Sequence, residues 1–117
     1  MSAKLLMLGW GVAALALGQM KLPPPAKGKL LYELHCLLCH GEKGQGEGKA
    51  AVFLYPKPRD FTRGLFKIRT TPSGSLPTDK DLFDTIGRGM PGSAMPGFSQ
   101  LPAQERWALV KIGRAHV

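Results

Sequence analysis

The sequence predicts an all-α domain of about three to four helices joined by long loops, and three observations carry that expectation. Leu30, Leu31, Leu34, Leu37 and Leu38 recur at the spacing of one broad helical face. Fifteen glycines and ten prolines in 117 residues interrupt the chain too often for long regular elements. Two further apolar patterns, Leu82-Phe83-x-x-Ile86 and Trp107-x-Leu109-Val110, each follow a helix-start signal. The length sets a limit of one domain. A domain this small buries a modest fraction of its surface, so a bound apolar body would give it something to fold around.

The chain supplies a candidate for that body at the end of the leucine-rich helix. Cys36-Leu37-Leu38-Cys39-His40 is Cys-x-x-Cys-His, the attachment pattern for a c-type haem. Two cysteines three apart occupy neighbouring positions on one helix face. Their sulfurs reach the two vinyl groups along one porphyrin edge and form thioethers. His40 then falls under the iron and supplies an axial nitrogen. The expectation is therefore one covalent haem c, with Cys36 and Cys39 as its anchors and His40 as a metal ligand.

Other readings fare worse. A thioredoxin-like pair belongs after a strand at a helix start, whereas this one follows a helical pattern. A zinc site wants four ligands, and outside the C-terminal tail only His35 remains after these three. No disulfide framework competes, because the chain holds only two cysteines. The formal charge of +8 invites a nucleic-acid reading, but the cations are scattered and no nucleic-acid motif occurs. An acidic protein partner or an anionic membrane surface accounts for the charge equally well.

Taken in order, residues 1–18 read as a signal peptide or N-terminal anchor. Lys4 gives a positive start, and the apolar run of 14 residues from Leu5 to Gly18 is short for a bilayer span of roughly 20. Ala14-Leu15-Ala16 offers a small-x-small cleavage pattern. Either version takes the domain out of the cytoplasm, to the periplasm or the outer face of the membrane. Residues 19–26, with Pro23-Pro24-Pro25, read as an extended spacer, and residues 27–111 as the folded domain.

The first helix is expected from Lys27 to about Leu38, with its leucines in the core and His35 at the surface. The four glycines from Gly41 to Gly48 read as a loop. It lacks the Lys-Ser/Thr ending of a phosphate-binding loop. Ala50 to Pro77 is broken by Pro56, Pro58, Pro72 and Pro77. Phe53, Tyr55, Phe61, Leu65, Phe66 and Ile68 make it too apolar for a solvated linker, so it reads as a loop wrapped over the cofactor with its aromatics inward. Arg59, Arg63, Lys67 and Arg69 are candidate partners for the haem carboxylates, which suit guanidinium groups.

Thr78-Asp79-Lys80-Asp81 resembles a capping box and starts the next helix, which ends near a left-handed cap at Gly87 or Gly89. A methionine-containing loop follows, and a thioether suits haem iron. Met95 leaves enough loop after the helix to cross to the far face of the ring. Met90 lies close to the helix end and reads as a packing residue. Pro102 to Lys111 forms the last helix, with proline in the first turn and Glu105 near the positive dipole end. Trp107, Leu109 and Val110 are expected to meet the first helix. Residues 112–117, Ile-Gly-Arg-Ala-His-Val, are what ATC GGA AGA GCA CAC GTC encodes, a common sequencing-adapter read. They are expected to be an artefactual tail.

Three groups of residues together resemble the class I, mono-haem cytochromes c. They are Gly28-x-x-x-Tyr32-x-x-x-Cys36-x-x-Cys39-His40-Gly41, Met95-Pro96-x-Phe98 and Glu105-Arg106-Trp107-Ala108-Leu109-Val110. The resemblance runs from about Ala26 to Lys111 and implies the small cytochrome c fold around the haem. It implies that Gly28 and Tyr32 pack against the C-terminal helix. It implies Met95 as the second axial ligand. It also implies a backbone carbonyl, at Pro56 or Pro58, accepting the outer N–H of His40. In such proteins the last helix runs on, so the C-terminus is expected to be truncated.

The implied function is electron transfer between respiratory redox partners by a monomeric carrier. With His40 and Met95 filling both axial positions, no substrate site remains and no enzyme activity is expected. Two alternatives stay open: a haem enzyme or gas-binding protein with a labile sixth ligand, and an electron-transfer subunit of a membrane oxidoreductase complex.

Overall fold

The computed structural model describes residues 24–117, so the export segment and residues 19–23 of the spacer lie outside the described residues. Four α-helices and no strand occur among these residues: α1 (Pro24–His35), α2 (Leu37–His40), α3 (Asp79–Arg88) and α4 (Ala103–Ala115). Two single 3₁₀ turns, Ala51–Phe53 and Phe61–Arg63, interrupt the long central loop. The all-α expectation holds. None of the described helices is long and apolar enough to cross a membrane.

Residues 24–26 of the spacer are helical rather than extended. The helix bends at Cys36 and resumes as α2, the break being bridged by Cys36 N–H to Tyr32 O (2.8 Å) and His40 N–H to Cys36 O (2.8 Å).

The core is the crossing of α1 on α4. Leu31, Tyr32 and Leu109 are its buried centre, with Leu37, Ile86 and Leu101 packed around them. Gly28 makes the crossing close: a Cβ there would stand 3.1 Å from both the Ala108 carbonyl oxygen and Ile112 Cγ1. Lys27 and Glu105 pair across the same seam at 3.0 Å.

The crossing uses less of the leucine face than the sequence suggests. Leu30, Leu34 and Leu38 form an i, i+4, i+8 stripe and remain exposed, because α4 covers only the neighbouring Gly28–Leu31–Tyr32 face. Trp107 turns to α3. It lies two residues, about 200° of helix, from Leu109. There it stacks on Phe83 of α3 at 4.1 Å, with the Arg106 guanidinium 4.3 Å from the centre of the Phe83 ring.

Helix α3 starts as expected. Thr78 caps it, and the Asp81 and Thr78 side chains exchange bonds with each other's backbone N–H. Asp81 Oδ2 also accepts from Thr70 N (2.9 Å) and Thr70 Oγ1 (3.1 Å), tying the central loop to α3. These bonds, the Thr70 N–H foremost, hold the carboxyl below its ordinary 3.8. The helix ends at Gly89 with φ 77° and ψ −169°, a positive-φ extended residue rather than the left-handed cap expected.

Helix α4 continues past Lys111 to Ala115. Within the sequence read as a tail, Arg114 pairs with Asp79 at 2.7 Å and donates to the Pro77 carbonyl, while the His116 ring lies 5.7 Å from that of Tyr32.

The central loop turns only part of its apolar set inward. Phe53 is 85% and Tyr55 95% exposed. The segment is anchored by its small residues and its backbone: Ala51 is buried, and Ala50 N–H and Gly48 N–H bond the Leu38 and Cys39 carbonyls. Val52, Phe53 and Tyr55 then project away.

Two expectations follow. Gly28→Val should destabilise the domain by roughly 1–3 kcal/mol through overpacking at the crossing, read by denaturant unfolding. Asp81→Asn should lower stability at neutral pH. The carboxyl's contribution is present above pH 3.8 and lost as pH falls through its lower folded value. The variant should therefore flatten the acid limb of the stability profile below the ordinary carboxylate range.

Candidate haem-binding site

The break after α1 and the end of α2 bring Cys36 and His40 to an open cleft, while Cys39, half-buried, is not among its lining residues. The cleft holds about 840 Å³ of space not filled by atoms, inside the range of roughly 300–1,000 Å³ usual for cofactor sites. Cys36 and His40 line it on one side. Leu82 and Ile86 of α3, Leu109 and Val110 of α4, and Phe61 and Phe66 of the loop form its apolar walls. Both Met90 and Met95 reach it. The structure thus brings His40 and the expected sulfur ligand to one space, together with the methionine read as packing.

The imidazole of His40 is fixed from two directions. Its face stacks on Phe61, with ring centres 4.5 Å apart. Its Nδ1 lies 3.2 Å from the Arg59 carbonyl oxygen. A carbonyl can only accept, so the ring proton sits on Nδ1 and the Nε2 lone pair is free. Burial pushes the His40 pKa below its ordinary value, and the Arg59 bond offsets this only in part. The ring is therefore neutral, as a metal ligand must be.

The acceptor is Arg59, not Pro56 or Pro58 as expected from the family pattern. The Pro58 carbonyl is turned to Gly46, where a Cβ would stand 2.5 Å from its oxygen. Gly46 also has φ +76°, a second reason for glycine there. The next carbonyl along the chain then faces His40. A backbone acceptor leaves no side-chain signal in the sequence, so no pattern could have named it.

Cys36 and Cys39 form no disulfide, and burial followed by the nearness of Cys39 pushes the Cys36 thiol up to about 11. A disulfide-exchange pair works through a depressed pKa, so the environment argues against that reading. Among the described residues, no three His, Cys, Asp or Glu side chains gather to hold a metal by themselves.

Tyr32 does more than pack. Its hydroxyl donates to the Gly41 carbonyl at 2.6 Å, pinning the turn just after His40 to α1. Burial, with Cys36 adding to it, pushes its pKa up to about 12. Of the four basic candidates, Arg59 and Lys67 line the cleft, Arg69 sits in a neighbouring recess, and Arg63 lies in neither. His35 is exposed, with its ring centre 5.4 Å from that of Phe98.

This largely apolar space, with Cys36 and His40 at its wall, suits a flat apolar ring. That is the equipment of a haem-binding electron-transfer protein. Comparison with family models agrees: the cytochrome c family matches residues 25–111, and the chain belongs to that family. Its members carry covalently bound c-type haem. Among solved structures, the chain is similar to a chain of the Kuenenia stuttgartiensis reducing HAO-like protein complex. The identity is 41% and the TM-score 0.77, over 83% of this chain and 45% of that one. The present chain thus spans less than half the length of that relative. No curated protein matched.

Tyr32→Phe tests the pin on the haem-bearing turn. It should cost about 0.5–1.5 kcal/mol through loss of the bond to the Gly41 carbonyl, read by thermal unfolding of the holoprotein.

Proposed function

We propose that the chain is a single-electron carrier in which Cys36 and Cys39 hold one haem by thioethers, while His40 Nε2 and Met95 Sδ ligate its iron. The observation that carries this reading is the neutral, Nδ1-protonated His40, aimed by the Arg59 carbonyl in the cleft that Met95 also lines. When bound, the haem supplies a one-electron ferric/ferrous couple. The chain's own residues hold the ring, keep the imidazole's orientation constant and exclude water with Phe61, Phe66, Leu82 and Ile86.

Hydrogen bonding to Nδ1 raises the donor strength of Nε2, and a thioether opposite favours the reduced state. Met95 is preferred to Met90 as the ligand. Met95 lines the cleft and carries the Met-Pro-x-Phe pattern with Pro96 and Phe98, which Met90 lacks.

The partners are redox proteins, met outside the cytoplasm if residues 1–18 direct export. A second reading follows from the solved relative, which is part of a protein complex and more than twice the matched length. On that reading the domain serves as the electron-transfer part of a larger oxidoreductase assembly, and the mass of the native particle separates the two.

Protein made in a host that matures c-type haem tests the ligands. Met95→Ala should abolish the sulfur–iron band of the ferric spectrum, admit carbon monoxide to the ferrous form and lower the midpoint potential. Met90→Ala should leave all three unchanged. The opposite pattern would assign Met90 instead, and carbon monoxide binding by the wild type would turn the reading towards a gas-binding protein or enzyme.

A further inference from the structure

Val52, Phe53 and Tyr55 are the most exposed large apolar side chains among the described residues, at 72%, 85% and 95%. They stand on a turn that is held in place by its own bonds. Phe53 N–H bonds the Ala50 carbonyl at 3.0 Å, and Leu54 N–H bonds the Ala51 carbonyl at 3.1 Å. The Lys57 ammonium donates to the same Ala51 carbonyl at 2.9 Å and closes the loop across its base. The base is fastened to α2 by Ala50 N–H on the Leu38 carbonyl at 2.9 Å, with Ala51 buried. The cofactor cleft uses none of the three projecting side chains.

The charge around this turn has one sign. From Gly48 to Arg59 the chain carries Lys49, Lys57 and Arg59 and no acid. All three cations are exposed. The ion pairs among the described residues involve none of them.

Area and chemistry together select what covers the turn. Two aromatic rings and a valine offer on the order of 400 Å². A stable protein–protein interface takes about 800 Å² from each side. Neither a second copy nor a folded partner is held by this turn alone. A lipid surface sets no such threshold, because an apolar group need only reach roughly 5–10 Å into the boundary between headgroups and acyl chains. Tyrosine suits that depth, with its ring among the chains and its hydroxyl among the headgroups. Lysine stems lie along apolar surface while their ammonium groups stay in the phosphate layer.

We propose that the Val52–Tyr55 turn is a shallow membrane-docking tip. Phe53 and Tyr55 enter the interface of an anionic bilayer, and Lys49 and Lys57 meet its phosphates. The contact is separate from residues 1–18, and it sets which face of the domain looks at the membrane.

Hydrogen exchange of the full-length holoprotein tests this. It is read at the amides of Val52 to Tyr55, with and without vesicles of mixed phosphatidylglycerol and phosphatidylcholine. Reading these amides, not total binding, keeps any insertion of residues 1–18 out of the result. Vesicles should slow exchange there in the wild type and in the surface control Lys111→Gln. Phosphatidylcholine alone should protect the turn less. The double variant Phe53→Ser/Tyr55→Ser should show no slowing; both rings are exposed, so the core is untouched. Lys49→Gln should lower the ratio of covered to open turn about fivefold.

Unchanged exchange at Val52–Tyr55 when anionic vesicles are added to the wild type overturns the proposal. Equal protection of the wild type and the double variant does the same. Protection that appears without lipid and rises with protein concentration assigns the turn to a second copy and also overturns it.

Discussion

The bond between His40 Nδ1 and the Arg59 carbonyl is the constraint on which the site depends. It joins the end of the first helical segment to the middle of a loop that has little regular structure. Everything around it keeps the two partners in register. Gly44 O accepts from Phe61 N–H, the missing side chain of Gly46 leaves room for the Pro58 carbonyl, and Phe61 in turn covers the imidazole. The bond sets the tautomer, and the tautomer sets which nitrogen keeps a free lone pair.

The rest of the fold supplies walls. Helices α1 and α4 cross closely at Gly28 and hold Tyr32 and Leu109 between them, while α3 leans on α4 through Phe83 and Trp107. The central loop is fastened to α3 by Asp81 and to α2 by backbone bonds. These fasteners are mostly hydrogen bonds to main chain. That suits a domain whose apolar residues are largely spent on lining a cofactor cleft rather than on packing against one another.

Much of this was legible in the residues. Cys36-x-x-Cys39-His40 announced the chemistry, Thr78 and Asp81 announced a helix start, and Gly28 announced a close crossing. What escaped has physical reasons. The Arg59 acceptor is a backbone group and carries no side-chain signature. The outward Phe53, Tyr55 and Leu34 looked like core because hydropathy reports what a residue prefers, not which face a neighbour covers. Trp107 stacks on Phe83 of α3 because it lies about 200° around the helix from Leu109, a partner that apolarity alone does not reveal. The hydroxyl of Tyr32 was read only as a packing surface, yet it fixes the turn after the motif.

The partnership of α1 with α4 carries a consequence for how the chain assembles. These helices lie at opposite ends of the described sequence, so their docking closes nearly the whole of it into one loop. The entropy of closure grows only slowly with length, but it must be met before the seam at Gly28 gives anything back. Contacts so remote in sequence slow the search for the native state. A porphyrin already stitched to α2 would shorten that search, since a greasy plate presented near one end gives the late-arriving helix a surface to land on.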